Sequence, residues 1–147
     1  MAIPSYRAFP DSNRESNPVM TLSNFFAVGI GAFLGAILRW VLGIALNPVF
    51  PTLPLGTLAA NLVGGLLMGI TMGVFAQYEA LPIALRLALT TGFLGGLTTF
   101  STFSAETVSL LQRGQYAWAG ATMATHLFGS LLMTLLGIGI VRMLLSP

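Results

Sequence analysis

The sequence predicts an all-α integral membrane protein with four transmembrane helices per subunit, on three observations. Only ten of the 147 residues are charged, six Arg and four Asp or Glu with no Lys, which is 7% of the chain, where a soluble domain carries about a quarter. Hydrophobic residues make up 55% and mean hydropathy is +0.86, too apolar for a disordered chain and too poor in charge to coat a water-soluble surface. The apolar runs are long and unbroken. They reach the ~20 residues that one helix needs to cross hydrocarbon and lack the alternation over about ten positions that barrel strands show.

Composition also removes function classes. The pI near 9.7 rests on a net charge of only +2 with no basic run, so nucleic acid is not an expected partner. With no cysteine, disulfides and thiolate metal sites are excluded.

Residues 1–20 read as a polar N-terminal tail, with Pro4, Pro10, Pro18, Arg7, Asp11, Arg14 and Glu15; a signal peptide would instead place a short apolar core close behind a basic start. Residues 21–147 form the four-helix transmembrane domain. The first span is expected from about Ser23 to Leu46, ended by Asn47-Pro48 and Pro51, since the residue before a proline leaves the helical region. The second runs from about Leu55 to Gln77, with Tyr78-Glu79 at an interface. The third starts near Pro82, a good first-turn residue, and reaches about Leu111. The fourth runs from about Tyr116 to Leu145, with Tyr116 and Trp118 at headgroup level.

Four spans put both termini on one side, with Arg7, Arg14, Arg86 and Arg142, while Arg113 and Arg39 lie toward the other. Without the tail the arginines divide evenly. The positive-inside rule then sets no strong orientation, which allows insertion both ways and antiparallel self-pairing, or an orientation fixed by the tail. Gly31-x3-Gly35 and Gly65-x3-Gly69-x3-Gly73 each line one helix face and permit close backbone approach, most simply for ordinary helix packing.

The third span holds the least ordinary stretch, Thr90-Thr91-Gly92-Phe93-Leu94-Gly95-Gly96-Leu97-Thr98-Thr99-Phe100-Ser101-Thr102-Phe103-Ser104. Paired glycines followed by a hydroxyl cluster make a poor continuous helix, so a break at membrane depth is expected. Lipid cannot satisfy the freed backbone groups, and broken membrane helices commonly build ion sites from them; hydroxyls bonding back onto their own helix are the structural alternative. Phe100 and Phe103, at i and i+3, share a helical face, either as core packing or as rings whose positive edges favour an anion. Asn61 lies inside the second span, where its amide must find partners: an inter-helix hydrogen bond, or an anion to which its NH2 donates.

In the fourth span Thr122, His126, Ser130 and Thr134 recur every four residues, a polar stripe about 18 Å long at 1.5 Å per residue. It suits a structural hydrogen-bonding face or the lining of a narrow pore. Arg39 and Glu106 are the charges expected inside the first and third spans, and both side chains are long enough to snorkel. Hydroxyls, an amide and ring edges suit an anion, and the carboxylate rings of cation pores are absent.

At these residues the sequence resembles the CrcB/Fluc fluoride channels. The carrying segments are Gly31-Ala32-Phe33-Leu34-Gly35-Ala36-Ile37-Leu38-Arg39-Trp40, Gly56 to Gly64 around Asn61, and above all Gly92-Phe93-Leu94-Gly95-Gly96-Leu97-Thr98-Thr99-Phe100-Ser101-Thr102-Phe103. The likeness spans about residues 24–145. The family's first motif usually opens Gly-Gly and ends Arg-Tyr, and a Val usually precedes the Asn; here stand Ala32, Trp40 and Ala60. The resemblance implies a multi-pass protein of the cell (inner) membrane, an antiparallel dual-topology homodimer with two fluoride pores, and passive release of cytoplasmic fluoride. It further implies Asn61, Phe100, Phe103, Ser101 and Thr102 in the pore, Thr122, His126, Ser130 and Thr134 on its polar track, and Arg39 near its entrance. A structural sodium ion would be held by the backbone carbonyls of Gly95 and Thr98 at the dimer interface.

The main rival, a small dual-topology multidrug or cation exporter, needs an intramembrane carboxylate, and the first span has none. A membrane enzyme needs a nucleophile, base or metal set, and one His with no Cys leaves little to build it from.

Overall fold

A computed structural model describes residues 19–78 and 80–145; the polar tail, but for its last two residues, and Glu79 lie outside them. Every secondary-structure element of the described residues is a helix. Helix α1 (Leu22–Leu46) begins with the Thr21 side chain accepting from the Asn24 N–H and runs into a single 3-10 turn at Asn47–Val49. There the Asn47 side-chain oxygen accepts the Gly56 N–H at 2.8 Å, so the end of α1 caps the start of α2 (Leu55–Gln77) and satisfies a donor that helix geometry leaves free.

The third span is composite. It opens as α3 (Ile83–Leu87), widens into π-helical turns over Ala88–Leu94 and tightens to one α turn, α4 (Gly95–Leu97). Thr98 (φ −79°, ψ 155°) and Thr99 (φ −149°, ψ 113°) are extended, and α5 (Phe100–Gln112) resumes beyond them. A turn at Gly114, in the left-handed region at φ 71°, leads into α6 (Tyr116–Leu145). The four stretches Leu22–Val49, Leu55–Gln77, Ile83–Gln112 and Tyr116–Leu145 are each long and apolar enough to cross a membrane. Their limits fall within a residue or so of the predicted ones, apart from the 3-10 turn appended to the first. Turn chemistry and proline positions set those limits locally.

Hydrocarbon gives helices no hydrophobic reason to associate, so close van der Waals contact must hold them. The glycine repeats supply it within the chain. A Cβ at Gly31 would strike the Ala88 carbonyl oxygen and one at Gly35 that of Phe93, so α1 lies directly on the backbone of the third span's first half. On α2, Cβ atoms at Gly65 and Gly69 would strike the Ser130 and Thr134 carbonyl oxygens, and one at Gly73 the Val141 side chain, so α2 seats on α6. Where the structure is packed most densely it is small: Ala60, Leu94 and Leu97 are buried, with Leu42, Leu67, Met68 and Phe93 against them. That cluster sits immediately before the extended pair at Thr98 and Thr99.

Outward faces are apolar, with Phe25, Phe33, Ile37 and Trp40 of α1 and Phe128, Leu132 and Leu135 of α6 all exposed. From α3, Arg86 donates to the Tyr78 carbonyl at the end of α2 at 3.1 Å and lies 4.9 Å from the Phe75 ring centroid, a cation–π contact.

Gly69→Val tests the packing. The added side chain meets the backbone of Thr134, a rigid obstacle, and overpacking costs roughly 1–3 kcal/mol; thermal denaturation in detergent is expected to show a lowered midpoint. Gly120→Ala, at a helical position with open space, is expected not to lower it, since alanine favours the helix over glycine.

Candidate functional site: a groove beside the interrupted helix

The extended pair needs partners for its backbone. Asn61, on the facing side of α2, provides them for Thr99: its Oδ1 accepts the Thr99 N–H at 2.8 Å and its Nδ2 donates to the Thr99 carbonyl at 3.1 Å. The second Nδ2 hydrogen meets His126 Nδ1 at 3.0 Å. Asn61 was expected to choose between an inter-helix bond and an anion. In this geometry both amide hydrogens are engaged by protein, because the unwound backbone and the imidazole of α6 lie within reach at once.

Thr99 is also the N-cap of α5. Its hydroxyl oxygen accepts the Thr102 N–H at 3.1 Å, and its hydroxyl donates to Thr102 Oγ1 at 2.9 Å. These substitutions of partner matter to the carbonyls behind them. In a continuous helix the Thr99 N–H would donate to Gly95 and the Thr102 N–H to Thr98; here both are directed elsewhere. The carbonyl of Gly96 is served by Arg39, whose Nε donates to it at 3.0 Å. Thr98 keeps its place on the preceding turn through its N–H and its hydroxyl, both donating to Leu94 O.

Around this knot lies an open groove of about 390 Å³ that gathers Asn61, Thr98, Phe100, Phe103, His126, Ser130 and Thr134. The Phe100 and Phe103 rings are 5.6 Å apart, edge toward face at 62°; Phe100 is 79% exposed, and Phe103 stacks on His126 at 4.7 Å and 28°. His126 is buried, and its Nε2 has no hydrogen-bond partner among the described residues. The Thr134 hydroxyl reaches the carbonyls of Ser130 and Gly65 at 2.9 and 3.0 Å, tying the stripe of α6 to α2.

Other expected site residues lie elsewhere. Thr122, with no exposed surface, gives its hydroxyl to Trp118 O at 2.9 Å and does not line the groove. The four-residue period keeps it on one face of α6, but that face is covered at its level. Ser101 is exposed, 3.3 Å from the Thr99 hydroxyl. Thr102 and Arg39 line a second depression with Thr57 and Thr99. Next to it the Thr57 hydroxyl donates to Glu106 Oε1 at 2.6 Å, while Glu106 Oε2 is buried without a partner among the described residues. Thr57 and Thr99 were not singled out from the sequence. A threonine just ahead of a new helix is an N-cap signal that points to Thr99, but nothing local points to Thr57, whose partner lies 49 positions away. Among the described residues no group of three His, Cys, Asp or Glu side chains is placed to hold a metal ion.

Residues 26–138 match the sequence profile described as CrcB-like protein, Camphor Resistance (CrcB). The chain belongs to this family. A CrcB chain thus carries the interrupted third span and the groove, both inside the matched residues, and is a multi-pass membrane protein. A relative from Nitrosospira multiformis, named fluoride-specific ion channel FluC, is 61% identical over 125 residues, 85% of this chain and 98% of its own. Proteins of the same name from Bordetella pertussis and Tolumonas auensis are 59% identical over 122 residues and 54% identical over 123, covering 83% and 84% of this chain and 94% and 97% of theirs.

Thr99→Val removes the cap and the hydroxyl bond to Thr102 while keeping the shape. A lost N-cap costs about 1 kcal/mol, so a lower thermal midpoint is expected, with Thr99→Ser restoring it; equal midpoints for all three proteins would show that the hydroxyl does not hold the start of α5.

Proposed function

We propose that this CrcB protein is a fluoride-selective channel of the bacterial plasma membrane that lets cytoplasmic fluoride leave passively. The observation that carries the reading is the groove, in which ring edges of Phe100 and Phe103, the imidazole of His126 and the hydroxyls of Ser130 and Thr134 meet beside an interrupted helix. It contains no charged residue. Fluoride is small and strongly hydrated, so a pathway must replace its water with donors, and it must do so weakly enough at several points for the ion to leave. Neutral donors and ring edges meet both requirements; a buried arginine would hold the ion. The names of the relatives support the same ion. The exporter alternative lacks its coupling carboxylate in α1, and Glu106, the acid in the third span, is bonded to Thr57 outside the groove.

The working unit in this reading is an antiparallel homodimer with two pores, because the groove is open on one side and Phe100 projects from it almost fully exposed. A second copy would close it. In this reading the interruption, near the middle of the apolar stretch Ile83–Gln112, would lie at membrane depth. Gly95 and Thr98 fit a hard cation such as sodium: their carbonyls have lost their helical donors, and Gly95 is exposed. A sodium ion held there by both subunits would satisfy those oxygens. Arg39 and Thr102 line the depression on the far side of Thr99 and would gather the anion there.

In liposomes the purified protein is expected to release fluoride and not chloride, read with ion-selective electrodes. Phe100→Ile is expected to slow fluoride by up to about tenfold, if the ring edge contributes the ~1.4 kcal/mol at the upper end of aromatic edge contacts, with the oligomer intact on size exclusion. Fluoride efflux no faster than from empty liposomes would overturn the channel reading, and full flux in the variant would reduce the rings to packing.

Dual topology has its own test. The chain has no cysteine, so Gly114→Cys introduces a single thiol at the turn before α6. A membrane-impermeant thiol reagent applied to intact cells is expected to label half of the copies; labelling of all or none would mean one orientation.

A further inference from the structure

We propose that the Nε2–H of His126 is the hydrogen-bond donor through which the groove engages a small anion, and that Asn61 is a positioning residue that fixes this proton on Nε2. The proposal rests on the fluoride-channel reading and names the donor within it.

The bonding of Asn61 leaves little freedom. Its Oδ1 faces an N–H that can only donate, at 2.8 Å, and its Nδ2 faces a carbonyl that can only accept, at 3.1 Å. Turning the amide over would set oxygen against oxygen and N–H against N–H, so the orientation is determined by the Thr99 backbone. Nδ2 therefore also presents a hydrogen to His126 Nδ1 at 3.0 Å, and Nδ1 must offer its lone pair. A neutral imidazole with a bare Nδ1 carries its proton on Nε2. The tautomer of a side chain on α6 is thus set by a backbone peptide in the third span, with Asn61 as the relay.

That proton has no acceptor. Nε2 is buried without a partner among the described residues, on a side chain only 4% exposed. A buried donor left unmade is costly, and this one belongs to a residue lining the groove. The ring is held in plane by stacking on Phe103 at 4.7 Å, so the N–H lies at a fixed ring edge. Asn61, by contrast, has both hydrogens committed and none left for an anion. No charged residue lines the groove, and the nearest acid of α5, Glu106, is turned to Thr57; α2 carries no charge at all. The imidazole can serve as a neutral donor, which binds an anion without trapping it.

Nitrogen-15 NMR of labelled histidine in the intact protein reads this directly, because the chain has one His. A protonated Nε2 and a bare Nδ1 are expected, with sodium fluoride moving the Nε2 resonance and sodium chloride leaving it in place. A proton on Nδ1, or an Nε2 resonance indifferent to fluoride, would overturn the proposal. In Asn61→Asp the carboxylate can only accept, so Nδ1 is expected to gain a proton and fluoride flux to fall; an Nδ1 that stays bare would show that Asn61 does not set the tautomer. Liposome flux gives a second arm. His126→Gln keeps an N–H near the Nε2 position and is expected to retain more fluoride flux than His126→Asn. His126→Asn keeps a partner for Asn61 but no donor at Nε2, and is expected to slow fluoride about tenfold or more, as loss of one hydrogen bond to a charged group allows. Equal flux in His126→Asn and wild type would reject the donor role. Wild-type liposomes that pass no fluoride would instead remove the channel reading, while the NMR arm still decides where the proton sits.

Discussion

A backbone that leaves the helix in the middle of a long apolar stretch needs its N–H and C=O satisfied by protein, and in this CrcB chain one side chain does this for Thr99. Asn61 pairs with both groups of that peptide. Without it two buried backbone groups would be stranded at a cost of about 1–3 kcal/mol each, and the simplest relief would be to wind Thr98 and Thr99 back into a continuous helix. The start of α5, the angle of the Phe100 and Phe103 rings, the freed carbonyls of Gly95 and Thr98 and the state of His126 all depend on that amide. It is held in turn by α2, whose glycines press it onto α6.

The surrounding packing explains how so small a chain keeps such a feature rigid. α1 rests on the first half of the third span through Gly31 and Gly35, while α5 packs on α6 and α2. The first half of the third span therefore rests mainly on α1 and the second mainly on α6, with α2 touching both, and the extended pair is the joint between them. Arg39 strengthens the first half by donating to the Gly96 carbonyl, and Thr99 strengthens the second by capping α5. Apolar burial contributes little here: the interior cluster is a few small side chains and leucines, and the rest is backbone on backbone.

Much of this was legible in the sequence, because the signals are local. Twenty-residue apolar runs, Pro48 and Pro51 after α1, Pro82 before α3 and the glycine repeats mark the spans and the faces that pack. The Gly95-Gly96 pair followed by hydroxyls marks where a helix has least reason to continue. Residue type brought Asn61, His126, Phe100 and Phe103 forward one by one, and only the family resemblance joined them as a set. What was not legible is who bonds whom. Asn61 meets Thr99 across 38 positions and His126 across 65, and no pattern along the chain says that its amide is spent on a peptide. The same applies to Thr57 and Glu106. Thr122 shows the opposite failure: its spacing is regular, but the helix at its level is covered, so a regular stripe need not be a continuous lining.

The hydroxyls have a property that residue names conceal. Thr98 and Thr134, which line the groove, direct their protons at carbonyls one turn back, 2.8 and 2.9 Å away. At rest such a surface shows oxygen lone pairs, which repel an anion. To be received, an anion must draw the hydroxyl around by rotation and outbid a carbonyl for its proton. A strongly basic halide wins that contest and a weakly basic one loses it. In the fluoride-channel reading, threonines so placed would sort anions by proton affinity as well as by radius.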